Sequence, residues 1–265
     1  MHAGALRILL IAALPFAAGA ALAADPEAFL AGTSKVCVEC NLAGRTLRER
    51  DLQRAKLDRA DLQNADLSGS NLFRATLTGA KLKGAKLGKA NLNLIDAKGA
   101  DLSGADLSGS LLYEADFSAA NLAGANLRAT RLGRARFNQA DLTGAVLAGS
   151  DLREARLAGA KLAGADMRSV TLDGANLREM DLHGIDFTLS DMTEVNFTDA
   201  DLRGAQLAGV NLYGANFHGA DLRGTNFEGA NLENAILSDT RTEGAKFDAA
   251  IMPDGRRAPD SPTAP

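Results

Sequence analysis

Residues Ala100–Gly109 read ADLSGADLSG, which is two copies of one five-residue unit. Each copy has a small residue, Asp, Leu, and two small residues. With the Leu taken as position i, the unit recurs in one register from Leu42 to Met252, which gives 43 units, and 41 of these have Leu, Phe or Met at the centre. The exceptions are Ala97 and Thr242. An unbroken short period of this kind indicates a solenoid rather than one or two globular domains.

A period of five residues fits neither the 3.6-residue period of a helix nor the two-residue period of a strand. Position i−2 is Ala, Ser or Thr in 34 of the 40 units from Ala55 to Ala250, so each unit offers one large and one small inward residue. Gly recurs at i+2 in 20-residue steps from Gly104 to Gly244, as expected for one corner of a coil of four units. We therefore predict an all-β fold over residues 41–252, whose coils stack ~4.8 Å apart.

Proline is absent between Glu27 and Met252, where every coil needs its backbone donors, and it returns at Pro253. We therefore expect residues 253–265 to form a C-terminal turn followed by a disordered, Pro-rich tail.

The first residues differ from the repeat. Residues 1–23 have a basic start, an Ala-rich apolar run, and small residues at Ala21 and Ala23, which together predict a signal peptide cleaved between Ala23 and Ala24. The alternative is a retained anchor, although the apolar run is short for a membrane span. Cleavage removes Arg7 and no acid, so the mature chain has 28 basic and 33 acidic residues. We expect it in the periplasm or outside the cell, without an integral membrane segment.

Residues 24–40 are predicted to form an N-terminal cap. Asp25 followed by Pro26 is a typical helix start, and a short apolar helix would cover the open end of the solenoid. Cys37 and Cys40 follow it. In an oxidising compartment they favour a structural disulfide, whereas free thiols, thiol chemistry and metal binding are the alternatives. Because Arg45 and Arg50 occupy i−2, we expect the first units not to close a full coil.

The units ADLQN at residues 60–64 and ADLRG at residues 220–224 resemble the A-(D/N)-L-x-x signature of pentapeptide repeat proteins. The resemblance covers residues 40–252. It implies a right-handed quadrilateral parallel β-helix with positions i and i−2 pointing inward, and it transfers no catalytic residues. The Cys37/Cys40 segment and the Met-Pro-Asp-Gly ending also look like the ends of such proteins.

Two charged groups are candidate binding sites. Stacking in 20-residue steps places Asp181, Asp201 and Asp221 in one column, where they could chelate a cation, although Asp is the usual residue of the repeat at i−1. A second group could bind phosphate or an acidic lipid head group, although interspersed acids make a solvated face the simpler interpretation. It consists of Arg131, Arg134, Arg136, Arg153 and Arg156.

Apolar residues at outward positions form the candidate interaction patch, which consists of Phe73, Leu94, Leu111 and Tyr113. Exposed apolar clusters mark contact sites more often than isolated apolar residues do. Leu94 lies beside Ile95 and Ala97, which depart from the repeat, so an inward tilt of Leu94 is the alternative. The patch predicts protein binding or self-association.

No arrangement of nucleophile and base is readable in the sequence, so we predict that the protein is not an enzyme and binds no cofactor. The favoured function is a structural or interaction scaffold of the cell envelope with a protein partner and no nucleic acid. The alternative is a DNA-mimicking modulator of a type II topoisomerase, as in the quinolone-resistance proteins that this repeat resembles. That alternative requires a cytosolic chain and a strongly negative surface.

Overall fold

The computed structural model describes residues 25–259, so the predicted signal peptide, the Ala23–Ala24 cleavage site and the end of the tail lie outside the described residues. Helix α1, Pro26–Leu30, begins the described chain. The Asp25 carboxylate accepts hydrogen bonds from the backbone N–H groups of Glu27 and Ala28 at 2.9 and 3.2 Å. Phe29 is buried beneath the first coil, so α1 covers the end of the solenoid.

The rest of the described chain is a repeat β-solenoid. Isolated parallel β-bridges join residues 20 apart, from Val36↔Lys56 to Asn231↔Ile251, so one coil contains four units. Within the described residues these bridges do not extend into strands. A turn in every unit leaves one bridged residue, at i−1, between corners. The prediction of strand-like stacking between residues 20 apart is therefore correct.

The side chains at i and i−2 point inward, as predicted. Leu122, Leu142 and Leu162 occupy equivalent positions in successive coils and are at most 1% exposed. Large rings stack along the axis, as Phe197 and Phe217 do with centroids 4.9 Å apart. This continuous apolar interior is the main source of stability, because each coil has no other partner for its apolar side chains.

Oversized residues at i−2 open the turns. At most corners where i−2 is Ala, Ser or Thr, its N–H reaches the carbonyl of the preceding central residue at 2.8–3.1 Å. The same distance is 3.4 Å at Ile95 and Val195, and 3.3 Å at Met180. Bulk inside the corner therefore pushes its two sides apart. Ile95 is buried next to the small central residue Ala97. The other five oversized i−2 residues lie between Val170 and Val210, so we predict that the coils there are wider than the rest.

Every turn from residue 39 to residue 249 has a positive φ at i+2, and non-glycine residues occupy many of these positions. Leu189 is one of them, with φ 63° and a side chain that is 72% exposed. A branched apolar residue gains little from burial there and is strained in the left-handed region. The position therefore carries a conformational cost that glycine would remove.

We expect Leu189→Gly to raise the free energy of unfolding by ~0.5–1 kcal/mol, because relief of strain outweighs the added entropy of the unfolded chain. Urea titration followed by circular dichroism measures the change. Ser103→Gly is the control, since Ser103 has no positive φ and glycine there should destabilise. An unchanged or lower stability of Leu189→Gly would show that the Leu189 side chain contributes packing.

Both ends of the solenoid differ from the predicted boundaries. The bridging begins at Val36, so Cys37 and Cys40 belong to the first coil and not to a separate cap. The first coil also closes, contrary to prediction, because Arg50 turns toward α1 and its Nη2 donates to the Leu30 carbonyl at 2.6 Å. A charged residue is tolerated at i−2 there since the end of the stack is open.

The C-terminal segment is more ordered than predicted. The predicted turn is not followed directly by a disordered tail, because the chain folds back in an antiparallel bridge, Ile251↔Arg257. The Ala258 N–H donates to the Ala250 carbonyl at 2.8 Å, and the Met252 N–H donates to the Arg256 carbonyl at 2.7 Å. This hairpin satisfies backbone groups of the last coil that would otherwise face solvent.

Candidate interaction site around Tyr113

The Asp and Asn residues at i−1 close the turn that follows them. The Ser103 N–H, for example, donates to Asp101 Oδ1 at 3.0 Å, and the same i−1 to i+1 bond recurs along the coil. This is the local Asx geometry that short polar side chains favour. The sequence shows the Asp/Asn preference but not its role. An apolar residue at i−1 therefore removes a turn acceptor as well as exposing carbon.

Leu111 is such a residue, and a neighbouring coil compensates for it. The Tyr113 N–H, which has no acceptor at position 111, donates to Asn93 Oδ1 at 2.8 Å. Leu111 is half-buried and Tyr113 is 41% exposed. The turn thus keeps its hydrogen bond, with an acceptor from the preceding coil, while two apolar side chains occupy outward positions.

A groove opens beside Tyr113 because the next residue of its column is Gly133. A Cβ at Gly133 would lie 3.4 Å from Cδ2 of Tyr113, so the tyrosine ring rests against a bare backbone. The groove has a volume of about 410 Å³. We call it the Tyr113 groove; its lining includes Leu111, Tyr113, Arg131, Gly133 and Arg153.

Arg134 forms one wall of the Tyr113 groove. Its Nε donates to Glu154 Oε2 at 2.9 Å, and its Nη1 donates to the Tyr113 hydroxyl at 3.1 Å. Its Cζ lies 6.0 Å from the centroid of the Tyr113 ring. The hydrogen bond that Arg134 donates to Glu154, together with the charge of that carboxylate, raises the pKa of Arg134. These contacts fix the orientation of the tyrosine, which stays 41% exposed.

The predicted arginine group lies at the same place as the apolar patch. Arg153 makes a two-point contact with Asp151, with N–O distances of 2.9 and 2.6 Å, and this contact lowers the pKa of Asp151. Arg136 is 3.4 Å from Asp116. Within residues 25–259, Arg131 and Arg156 have no ion pair within 4 Å. Three of the five arginines in the group are therefore paired with carboxylates, and Arg131 and Arg156 are the two without a close ion pair.

A second groove of about 560 Å³ adjoins the first across Arg134 and Glu154. Leu94 lines it, half-buried and outward, so the inward tilt did not occur. Asp116 lies at its base and is 7% exposed. Burial opposes its ionisation, yet hydrogen bonds from Ser118 and Lys98 hold the pKa of Asp116 below its usual value.

The predicted patch is thus divided. Leu111 and Tyr113 share one groove and Leu94 lines the adjoining one. Phe73 lines neither groove; it is half-buried, with the Arg74 guanidinium 5.3 Å from the ring centroid. What the sequence alone did not reveal is that the patch and the arginine group adjoin, since 20-residue stacking brings residues 111–113 against residues 131–134.

Two of the three carboxylates in the column pair with arginines of their own units, and the third, Asp181, accepts a hydrogen bond from the His183 N–H at 3.1 Å. Asp201 accepts from Arg203 and Asp221 accepts from Arg223, each with a closest N–O distance of 2.6 Å. These hydrogen bonds lower the pKa of both carboxyls. Across residues 25–259, no group of three or more metal-ligating side chains is arranged to hold an ion. The Asp residues of the column are therefore turn and ion-pair residues.

Cys37 and Cys40 lie at inward positions of the first coil. Their Sγ atoms are 2.14 Å apart and the residues are 0% and 4% exposed. In the described part of the chain, no helix has the length and apolar character needed to cross a membrane.

The sequence and structure were compared with known proteins. A family model described as pentapeptide repeats matches in eight copies, over residues 37–72, 75–112, 110–149, 120–157, 150–188, 190–229 and 225–254. No curated protein matches the chain.

Three solved structures illustrate the likeness. HetL, a pentapeptide repeat protein involved in heterocyst differentiation regulation in the cyanobacterium Nostoc sp. strain PCC 7120, is 29% identical, with 88% of this chain and 97% of HetL covered, at a TM-score of 0.28. Rfr23 from the cyanobacterium Cyanothece 51142 is 28% identical over 52% and 90% of the two chains, at 0.32. QnrB1, a plasmid-mediated fluoroquinolone resistance protein, is 24% identical over 57% and 88%, at 0.27.

Proposed function

Because the chain belongs to the pentapeptide repeat family, we propose that it is a non-catalytic scaffold of the cell envelope that presents a rod-like surface to a protein partner. The observation that carries the proposal is the Tyr113 groove. It combines an exposed aromatic side chain, an apolar neighbour, a bare backbone floor and the free cation Arg131. Aromatic and arginine side chains around a recess are the usual anchors of protein interfaces.

The same site argues for binding rather than catalysis. Apart from Arg131, its charged side chains are arginines and carboxylates paired with one another, and it has no nucleophile beside a base. We therefore propose no cofactor and no nucleic acid. We also propose that the four-unit coil is right-handed and quadrilateral, so that each of its four sides is a separate, nearly flat binding surface.

The site can be tested with purified mature protein as bait in an envelope extract. Leu111→Asn with Tyr113→Ser should lose the partner, since Asn is a usual residue at i−1 and preserves the coil while the apolar contact is removed. Leu189→Ser, an exposed apolar residue on another side, is the matched control and should keep it. Partners should be identified by mass spectrometry and rebound in purified form. Equal capture by all three proteins would refute the role of the groove.

The envelope location rests on residues 1–23. N-terminal sequencing of the protein recovered from fractionated cells should give a start at or near Ala24 in the periplasm or medium. An intact Met1 in the cytosol would overturn the location and revive the alternative of a topoisomerase modulator. The arginines interspersed with acids on the other parts of the surface do not favour that alternative, which needs a strongly negative surface.

The Cys37–Cys40 pair should be oxidised in the exported protein. Because the loop is short, its entropic stabilisation is small, and its effect is to fix the first corner of the coil next to α1. We expect alkylation of the denatured, unreduced protein to leave the mass unchanged, and reduction followed by alkylation to add two adducts. Adducts without reduction would show free thiols.

A further inference from the structure

On one side of the solenoid, all the cations at outward positions lie in one half, together with four acids, and the other half has acids only. This side, the Leu152 side, consists of the units centred at 20-residue steps that include Leu152 and Leu172. Its outward residues stand in three columns, at i−1, i+1 and i+2, and the Tyr113 groove belongs to it. Position along a column is proportional to residue number, with ~4.8 Å between coils.

The cations lie before the midpoint between Leu152 and Leu172. Arg131, Arg134 and Arg153 occupy the i−1, i+2 and i+1 columns there, and all three are exposed. Arg131 has no ion pair within the described chain. A surface cation without a close ion pair, beside a groove, is available to an acidic group from another molecule.

The charged residues after the midpoint are all acids. Asp191, Glu194 and Asp173 occupy the same three columns, and none has an ion pair within 4 Å among the described residues. Oδ1 of Asp173 is buried and has no hydrogen-bond partner. Burial, together with the neighbouring carboxylate of Asp191, raises the pKa of Asp173. Asp173 is half-buried and interacts with Arg153 of the adjacent coil only at long range, so it has no close ion pair in the single chain.

We propose that a second copy of this chain packs on the Leu152 side in antiparallel orientation, with the two-fold axis crossing the side midway between Leu152 and Leu172. Such an axis lies in the interface and preserves the lateral position of each column, so every column faces the same column of the partner in reverse order. The inference rests on the proposed function, because it names the partner of the Tyr113 groove.

This symmetry brings opposite charges together in all three columns. The predicted pairs, each formed twice, are Arg131 with the partner's Asp191, Arg153 with the partner's Asp173, Arg134 with the partner's Glu194, and Arg74 with the partner's Asp254. From residues 71–74 to residues 251–254, no like charges face each other in this register. Asp173 and Arg131 each gain a close ion pair, in addition to their longer-range interactions with Arg153 and Asp151 of their own chain.

The apolar residues follow the same symmetry. Tyr113 and Tyr213 are in one column at equal distances from the midpoint, five coils or about 24 Å apart, so each tyrosine faces the other tyrosine of the partner. Both are exposed, at 41% and 39%. Gly133, the floor of the groove, faces the partner's Thr193. Aromatic contacts at the two ends and ion pairs between them form an isologous interface, in which both copies use the same surface.

The charge pattern selects one register. Moving one copy by a single coil places Asp173 opposite the partner's Asp173 and Glu154 opposite the partner's Glu194. Moving it by one coil in the other direction places Arg153 opposite the partner's Arg153. Like charges facing each other oppose association, so the register with the axis between Leu152 and Leu172 is the favoured one.

The test measures the mass of the purified mature protein by sedimentation equilibrium. We expect a dimer that dissociates as NaCl is raised from about 0.05 M to about 1 M, because the pairs are partly exposed. Arg131→Asp and Asp191→Arg should each weaken dimerisation by about 100-fold, since each places two like-charge contacts in the homodimer. Arg131→Asp installs the usual residue of the repeat and breaks no ion pair within 4 Å, but it removes the attraction between Arg131 and Asp151 of the adjacent coil.

The decisive experiment mixes the Arg131→Asp and Asp191→Arg variants and measures whether they associate. In the heterodimer, the carboxylate introduced at position 131 of one copy faces the guanidinium introduced at position 191 of the other. The unchanged Arg131 and Asp191 also face each other, so association should return. Arg156→Asp is the matched control: it is also exposed, at i−1 and without an ion pair, but lies on the adjoining side, and it should not change the dimer. Thermal unfolding of each variant checks that the coil is intact.

A mass that stays monomeric at all protein concentrations at low salt would overturn the inference. So would a dimer that Arg131→Asp leaves unchanged, or two folded variants that fail to associate on mixing. If the protein is monomeric but still captures an envelope protein through Leu111 and Tyr113, the dimer is refuted and the proposed function is supported. A dimer with no other partner would keep the inference and limit the function to self-association.

Discussion

Leu142→Ala is expected to lower the free energy of unfolding by ~2–5 kcal/mol, because it opens a cavity in a close-packed interior. Leu142 is fully buried in the middle of the stack, between Leu122 and Leu162 in the adjacent coils. Neighbouring coils are tied by backbone hydrogen bonds, such as that from the Leu142 N–H to the Lys161 carbonyl at 2.8 Å, so they cannot move together to fill the space.

Two further variants are compared with Leu142→Ala, to separate the effects of cavity formation, loss of a backbone donor and change at an outward position. Leu142→Pro should destabilise more than Leu142→Ala, since it also removes the donor to Lys161. Ser103→Ala, at an outward position, should change the free energy of unfolding by no more than ~0.5 kcal/mol. Urea titrations of the three proteins measure these differences. Similar losses for Leu142→Ala and Ser103→Ala would contradict the assignment of inward and outward positions.

The inward positions could be predicted from the sequence because they repeat without interruption. A period of five forces a corner in each unit, and the recurrence of Gly at i+2 in 20-residue steps gives four units to a coil. Ile95 and Ala97 follow the same rule, since a larger side chain at i−2 accompanies a smaller one at i. Each of these inferences depends only on a residue and its place in the unit.

The ends of the solenoid could not be predicted in the same way. Arg50 breaks the pattern at i−2, yet the first coil closes because the arginine finds an acceptor, the Leu30 carbonyl, that lies outside the repeat. The fold-back of residues 256–258 likewise depends on backbone groups left over at the last coil. At an end of the solenoid, the adjacent coil on one side is missing, so the sequence pattern no longer predicts which residues a side chain contacts.

The candidate site was predictable in part. Leu111 and Tyr113 stand out in the sequence because they occupy outward positions of an otherwise polar pattern. The groove itself results from an absent side chain at Gly133, and its wall results from the contacts of Arg134 with Tyr113 and Glu154. These are relations among residues about 20 apart, whose rotamers decide which charges are neutralised and which remain free.

Hydrogen bonds inside the corners give the second large effect. At most corners the i−2 N–H closes the turn directly, but the Val170 N–H donates instead to the Ser190 hydroxyl at 3.1 Å. The same hydroxyl donates to the Met167 carbonyl at 3.1 Å. Val170 and Ser190 are 1% and 4% exposed, so this hydroxyl is the bridge between two buried backbone groups. The bulk of Val170 holds the corner open around it, as at the other oversized i−2 residues.

We therefore expect Ser190→Ala to cost ~1–3 kcal/mol, because it leaves a buried donor and a buried acceptor unpaired. Ser110→Ala is the matched control. Ser110 is also buried at i−2, and its hydroxyl donates to the Leu87 carbonyl at 2.7 Å, but that carbonyl keeps the Ala90 N–H at 3.1 Å when the hydroxyl is lost. Its substitution should cost less than ~1 kcal/mol. Equal losses at the two sites would mean that the corner at Val170 closes once the hydroxyl is gone, with its N–H returning to the Met167 carbonyl.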